Sequence, residues 1–548
     1  MRDKKIVHKE EMIQHVQEGI EKIASIVKRT LGPGGLTIVL ERTGQALDGS
    51  PLMPLQTKDG VTVAEECSDS KPETDIIIQA VKAICKGTDK TAGDGTTTAI
   101  VLGAAILKES FAAIKEGDLN PQLVRESVEA ASRQTMEILD SYTSPIKDDL
   151  QKIEEVATIS ANGDAEIGKI IRQAMDEVGS EGVITVDEGS SAETEIKIVD
   201  GFQINRGAEA QDRFFNNESK DRFEAENCYV VLYNGAIRSH SDLIPPLQCI
   251  ADHSKAKAVE EGKKPTMPPV LFVADEFSPE AIQFLLIQRA QGGMTVCAAK
   301  SPHMSSVRTA MMDDMAVMLD GQRLGNGSRN LQSVEIDDIG YVERVVVSKY
   351  TTTFYDGDGS EEEVLDRIKQ LKAQQENAES PYDAGNLRDR IAALGQGIAK
   401  IGVGGETDME VKERYQRIED ALNAARAAIS DGVIPGGGIT LCRAARELLA
   451  GGQASATVGQ KILANALLAP FDQILENIGQ EPREILSKLC AKNKKGFTYD
   501  ARNKEMVNAY DAGILDPVKV TKTALKNATS IAALLSTCGG GIVYTRDK

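Results

Sequence analysis

The two ends of this 548-residue chain share one texture and its middle has another. Residues 8–30 space Met12, Ile13, Val16, Ile20, Ile23, Ile26 and Val27 along one side of a helix. Residues 97–115 and 122–142 continue in helices, and 439–548 return to Ala-, Leu- and Ile-rich helices before a short strand, GIVYT. From about 198 to 398, strands such as YVVLY (229–233), PVLFVAD (269–275) and TVCAAK (295–300) alternate with helices, an α/β pattern. The expectation is a multidomain α/β fold in which one domain is built from both termini and the others are inserted in it. About two to four domains suit the length.

Three local expectations follow. TIVLER (37–42) and VTVAEE (61–66) alternate β-branched residues and are expected to pair as strands. Residues 360–395 are highly charged and break at Ser380-Pro381, which suggests a solvated helical hairpin. Residues 407–430 form one long amphipathic helix, stopped by DGVIPGGG.

A net charge of -20 argues against binding nucleic acid or an anionic membrane, since either needs a basic face. The eight cysteines include no C-x-x-C pair, so neither a disulfide framework nor a zinc site is expected. MRDKKIVHKEEM has no apolar core of a secretory signal, and no apolar run is read as reaching the roughly 18 residues of a membrane span. A cytoplasmic protein is expected.

Four turns could carry chemistry: TLGPGG (30–35), TKDG (57–60), GDGTTT (93–98) and PGGG (435–438). Each alone reads as a turn or helix cap. None matches a P-loop or a dinucleotide-binding fingerprint. In GDGTTT, Asp94 could simply cap a helix whose first turn is the threonines. Alternatively, the amides of residues 95–98 and the threonine hydroxyls could hold a di- or triphosphate. Asp94 would then repel the phosphates unless a divalent cation lay between, and hard oxygen ligands suit Mg²⁺. Asp59 and Asp420 are acids able to position an attacking water, but spacing alone does not bring Asp420 to Asp94.

Taken in order, these turns resemble the group I chaperonins, the GroEL type. The matching segments run almost end to end and include TKDGVTVAEE, AGDGTTTAIVL, ATISANGDAEIGKIIRQAMDEVG, KIGVGGETDMEVKERYQRIEDALNAARAAISDGVIPGGG and NAYDAGILDPVKV. The resemblance implies a mostly α-helical equatorial ATPase domain (1–140 with 432–548), a small hinge-like intermediate domain (141–197 with 399–431) and an inserted α/β apical domain (198–398). It implies an ATP-dependent protein-folding machine using ATP, Mg²⁺ and K⁺. Its partners would be other copies of itself, in a seven-membered single or double ring, non-native client proteins and a small lid co-chaperonin.

Position by position, it implies that Thr30, Leu31, Gly32 and Pro33 contact the nucleotide. Lys58 and Asp59 lie beside the phosphates, and Thr30 and Lys58 also neighbour the monovalent cation. Asp94 is the metal ligand, and Gly95, Thr96, Thr97 and Thr98 cradle phosphate. Ser160 lies in a neighbouring loop, Gly437 and Asp516 meet the ribose, and Asp500 and Ala501 meet the adenine. Asp420 positions the attacking water, with Asp59 as the second catalytic acid.

Client capture falls to the apical segments, through Phe214, Phe215, Ile244, Leu247, Ile282, Leu286 and Ile287. Without the resemblance, the face made by the last three would read as core packing. AEAQDRFFNN (208–217) departs from the family's apical pattern, and Pro245-Pro246 should distort or shorten the first apical helix. RTGQALDGSPLMPLQ (42–56) is a longer hairpin than usual. These departures mark a divergent member, such as a paralogue or a virus-encoded chaperonin, and weaken the expectation of the lid protein. The alternative is a ring-shaped holdase or scaffold with weak or uncoupled ATPase, against which the intact Asp59, Asp94 and Asp420 argue.

Overall fold

The computed structural model describes residues 4–41, 54–146, 149–179, 182–189, 191–210, 213–217, 221–260, 262–302, 306–325, 329–377, 380–395, 397–491 and 496–544. The chain forms two compact units. The first comprises Met1–Asp176, Val186–Glu195 and Gly402–Lys548, and the second Glu177–Thr185 and Ile196–Ile401.

The first unit is helical and takes residues from both ends of the chain. Strand Lys4–His8 pairs antiparallel with strand Gly540–Tyr544, which ties the two ends together. The central helix is Thr96–Gly117, whose Ile100, Leu102, Ile106 and Leu107 are fully buried. It packs against helices Pro72–Ala92, Val458–Ala466 and Val518–Ser536. Small residues such as Ala99, Ala524 and Ala528 are wholly buried there and let the helices approach closely.

The helix Thr96–Gly117 is long and apolar enough to cross a membrane by composition, against the expectation that no segment would be. Half of its apolar stretch is buried inside this unit, where it serves as the core helix.

TIVLER and VTVAEE do not pair. Ile38–Leu40 pairs with Leu55–Thr57, and Gly60–Glu66 is a helix. The Asp59 carboxylate accepts from the amides of Val61 (3.0 Å) and Thr62 (2.7 Å), which starts a helix where the side-chain alternation suggested a strand. Most of the long hairpin connection, residues 42–53, lies outside the described residues.

The second unit is built on a mixed sheet. Its order is Gly201–Ile204, Thr352–Gly357, Gly340–Ser348, Arg222–Ile237, Val270–Phe277 and Val296–Lys300, with Arg323–Leu324 pairing off on Arg222–Ile237. The last three strands of the main order run parallel, with helices His240–Glu260 and Pro279–Gly292 as the crossovers between them. Their continuous apolar runs match burial on both faces; Val270 through Ala274 are all fully buried.

The charged hairpin is present as helices Glu361–Glu376 and Pro381–Gly395. It is anchored as well as solvated. Buried Asp314 accepts from Arg390 (2.6 and 2.8 Å) and Arg367 (2.8 Å), beside a small cluster of Ile368, Leu371 and Leu394.

Candidate functional site

A cavity of about 400 Å³ opens in the first unit. Its walls come from segments far apart in sequence. Thr30, Leu31, Gly32 and Pro33 form one side, joined by Lys58 and Asp59. Asp94, Gly95, Thr96, Thr97 and Thr98 form the floor, with Ser160 beside them. Gly437, Asp500, Ala501 and Asp516 close another side, and Asp420 also reaches in. Every residue assigned by resemblance to nucleotide, metal or catalysis therefore lines one cleft.

The threonine turn is built by glycine. Gly95 is the residue that caps helix Thr96–Gly117, in a left-handed conformation with φ of 85°. A Cβ there would sit 2.6 Å from Val520 Cγ1, so the turn tolerates no side chain. Gly60 is equally confined, since a Cβ would come within 2.1 Å of Thr97 Oγ1.

Asp94 is not the helix cap it could have been. One oxygen accepts from the Gly95 amide, and the other accepts from Ser160 Oγ at 2.9 Å. Its carboxylate is thus held at the cleft floor from two directions. Asp59 also lines the cleft, but its oxygens already accept from Val61 N, Thr62 N and Thr62 Oγ1. It is also the N-cap of helix Gly60–Glu66.

Tertiary packing delivers Asp420. Gly93 adopts φ of 67°, and a Cβ there would lie 2.5 Å from Asn423 Cβ. The glycine turn therefore lets helix Asp408–Asp431 pack directly against it, and Asp420 lies one turn before Asn423 on that helix. Arg417, three residues before Asp420, donates to Asp164 Oδ2 at 3.1 Å and to Glu413, which fixes the helix against the Asp164 turn.

Asp516 sits on strand Leu515–Pro517, opposite Ile434 on Val433–Pro435. Burial is the main reason its carboxyl is pushed up to about 6, with the Asp94 charge adding to it; amides of Gly437 and Gly438 pull the other way.

Several polar groups here suit a magnesium nucleotide. Thr96 Oγ1 is buried with no hydrogen-bond partner among the described residues, an unmet polar atom at the floor of the cleft. Glycines keep side chains out of the surrounding turns. Among the described residues no cluster of three or more His, Cys, Asp or Glu could hold a metal by itself. A single carboxylate with hydroxyl neighbours instead suits an ion carried in by phosphates.

Sequence reading missed Arg502, Asn423 and the apolar wall of Tyr499, Ile514 and Ile474. Asn423 and Ile514 lie inside segments that carry Asp420 and Asp516, and Arg502, Tyr499 and Ile474 lie in no glycine turn, so nothing local singles any of them out.

The second unit corrects part of the client-binding expectation. Phe214 is 0% exposed, and Phe215, Leu247 and Ile282 are also buried in the unit's main core. Their apolar surface is taken up by neighbours, so they offer none to a client in this conformation. Leu286 is half-buried against the same core. Ile244 and Ile287 are the exposed pair, at 42% and 41%.

Pro245-Pro246 neither shortens nor interrupts its helix, which runs unbroken over His240–Glu260. Pro245 cannot donate to the Ser241 carbonyl four residues back, and Gln332 Nε2 donates to that carbonyl instead, at 3.0 Å. Residues 211–212, inside the departing 208–217 stretch, lie outside the described residues.

A model of the TCP-1/cpn60 chaperonin family matches residues 23–538. Two crystal structures of chaperonin gp146 from the bacteriophage EL 2 (Pseudomonas aeruginosa), both in the presence of ATP-BeFx, match in fold. Each is 20% identical over 99% of both chains, with TM-scores of 0.70 and 0.62.

Proposed function

The chain belongs to the TCP-1/cpn60 chaperonin family, and we propose that it hydrolyses ATP in the cleft of its first unit to drive the capture and folding of non-native proteins. The observation that carries this reading is the convergence on one cavity of Asp94, Asp420 and the Thr96 hydroxyl, which has no partner among the described residues.

In this proposal the amides at the start of helix Thr96–Gly117 and the hydroxyls of Thr96, Thr97 and Thr98 bind the phosphates. Asp94 would hold Mg²⁺, oriented by Ser160. When bound, the ion would supply positive charge to the phosphate oxygens as the terminal group leaves. Asp420 would accept a hydrogen bond from water and orient it for attack, while Asp59 keeps Lys58 pointed at the cleft. Thr30 and Lys58 would neighbour K⁺. Asp516 and Gly437 would take the ribose, and Asp500 and Ala501 the base.

The proposed working division is threefold: an equatorial ATPase domain, an intermediate domain bearing Asp420, and an apical domain presenting Ile244 and Ile287. Family resemblance supports assembly in a seven-membered ring, single or double, closed over clients with or without a separate lid protein. Refolding of a denatured client with and without Mg-ATP tests the proposal. ATP should raise the refolded yield. If ATP is hydrolysed without changing that yield, the protein is a passive holdase.

A further inference from the structure

Arg502 belongs to no motif, yet it spans the cleft. It sits in the turn between strands Phe497–Asp500 and Glu505–Asn508. The Asp500 carboxylate organises this turn, accepting from the amides of Arg502 (2.8 Å) and Asn503 (3.1 Å) and from the Asn503 side chain. Thr498 Oγ1 fixes the hairpin to the Gly436 carbonyl at 2.8 Å.

From that platform the Arg502 guanidinium reaches the turn after helix Leu150–Ser160. It donates to the carbonyls of Asn162 and of Gly163, the latter at 3.1 Å. Asn162 and Gly163 both have positive φ, 56° and 76°, which turns their carbonyls outward to one donor. Gly163 leaves room for it, since a Cβ there would lie 2.0 Å from Arg502 Nη2. A planar fork is the side chain that can meet two adjacent carbonyls at once. Arg502, Asn162 and Gly163 all line the cavity.

The bridge therefore joins the hairpin wall to the turn that begins at Ser160, the residue holding Asp94. The hairpin wall offers Tyr499 and Ala501 rather than the amides and hydroxyls of the threonine turn. It is the side suited to the base of a nucleotide.

We propose that Arg502 is a positioning residue that retains the nucleoside end of a bound nucleotide, by strapping the hairpin to the Asn162–Gly163 turn across the cleft. This rests on the nucleotide reading of the cleft. Departure of the nucleoside requires the two hydrogen bonds to open, whereas a ligand made of phosphates alone does not meet the strap.

The test is calorimetric binding of Mg-ATP and of Mg-tripolyphosphate to the full-length protein. Arg502→Ala should weaken Mg-ATP about three- to tenfold, the scale of an ordinary net hydrogen bond, and leave Mg-tripolyphosphate unchanged. Steady-state hydrolysis should show a raised KM with kcat not lowered. Gly163→Ala, which displaces the guanidinium without removing it, should act in the same direction. Arg502→Lys should recover only part of the affinity. Equal weakening of both ligands, or of neither, overturns the role of Arg502. A wild-type protein that fails to bind Mg-ATP overturns the nucleotide reading itself.

Discussion

Ser160 Oγ donates a 2.9 Å hydrogen bond to Oδ2 of Asp94, across 66 residues of chain. Asp94 precedes the central helix of the first unit, and Ser160 ends helix Leu150–Ser160. The bond holds at the cavity an acid whose sequence position equally suits a helix cap. It also links the proposed metal ligand to the turn that Arg502 and Arg417 grip from either side.

Asp94→Ala should abolish most Mg²⁺-dependent ATP turnover, by about a hundredfold or more, as expected when charge stabilisation at a phosphoryl group is lost. The melting temperature should hold, because Asp94 caps no helix. Turnover near the wild-type rate would remove Asp94 from the metal site.

Asp420→Ala should separate binding from chemistry. Loss of a group that orients water costs about 10²- to 10⁴-fold in rate, while ATP affinity measured by calorimetry should stay close to wild type. A variant that loses affinity instead would show that Asp420 holds the nucleotide rather than the water.

Asp516 makes stability depend on pH. Its folded value, about 6, lies above the ordinary aspartate value of 3.8. The neutral form is therefore favoured by folding, and its stabilising contribution is present below about pH 4 and lost as pH rises through 6. Replacement by Asn should accordingly raise the melting temperature relative to wild type more at pH 7 than at pH 4.5, in the absence of nucleotide. An equal difference at both values would contradict the raised carboxyl.

The exposed and buried members of the apical set should behave differently. Ile244→Ser with Ile287→Ser should reduce capture of a denatured client, read by co-sedimentation, with little change in melting temperature. Leu247→Ala should cost about 2–5 kcal/mol of stability, because it empties a core position. Unchanged capture in the exposed double variant would move the client surface elsewhere.

Gln332→Ala tests how a helix tolerates two prolines. Removing the donor to the Ser241 carbonyl should destabilise the second unit by about 1 kcal/mol, seen as faster amide exchange in the first turns of His240–Glu260. Unaltered exchange would mean that water replaces Gln332 without cost.

Much of this protein is legible along the chain because its cues are local. The left-handed glycines of TAGDGTTTA, the apolar spacing of residues 8–30 and the continuous apolar strand at 270–274 each describe a few neighbouring residues, and periodicity reports on those directly. Where two local signals competed, the weaker one misled: side-chain alternation in VTVAEE promised a strand, while the Asp59 cap made a helix.

The order of the elements, the glycine turns and the acids available to the site follow from local residue pattern. Tertiary structure alone decided which acid faces the cavity and which apolar side chains remain exposed. Asp420 reaches the cleft because Gly93 admits Asn423, and Asp94 faces inward because Ser160 holds it. Leu247 and Ile244 lie three residues apart on one helix, yet one is buried and the other exposed. Such choices depend on packing between segments well separated in the chain, where burial is settled by the neighbour a side chain meets rather than by the residues beside it in sequence.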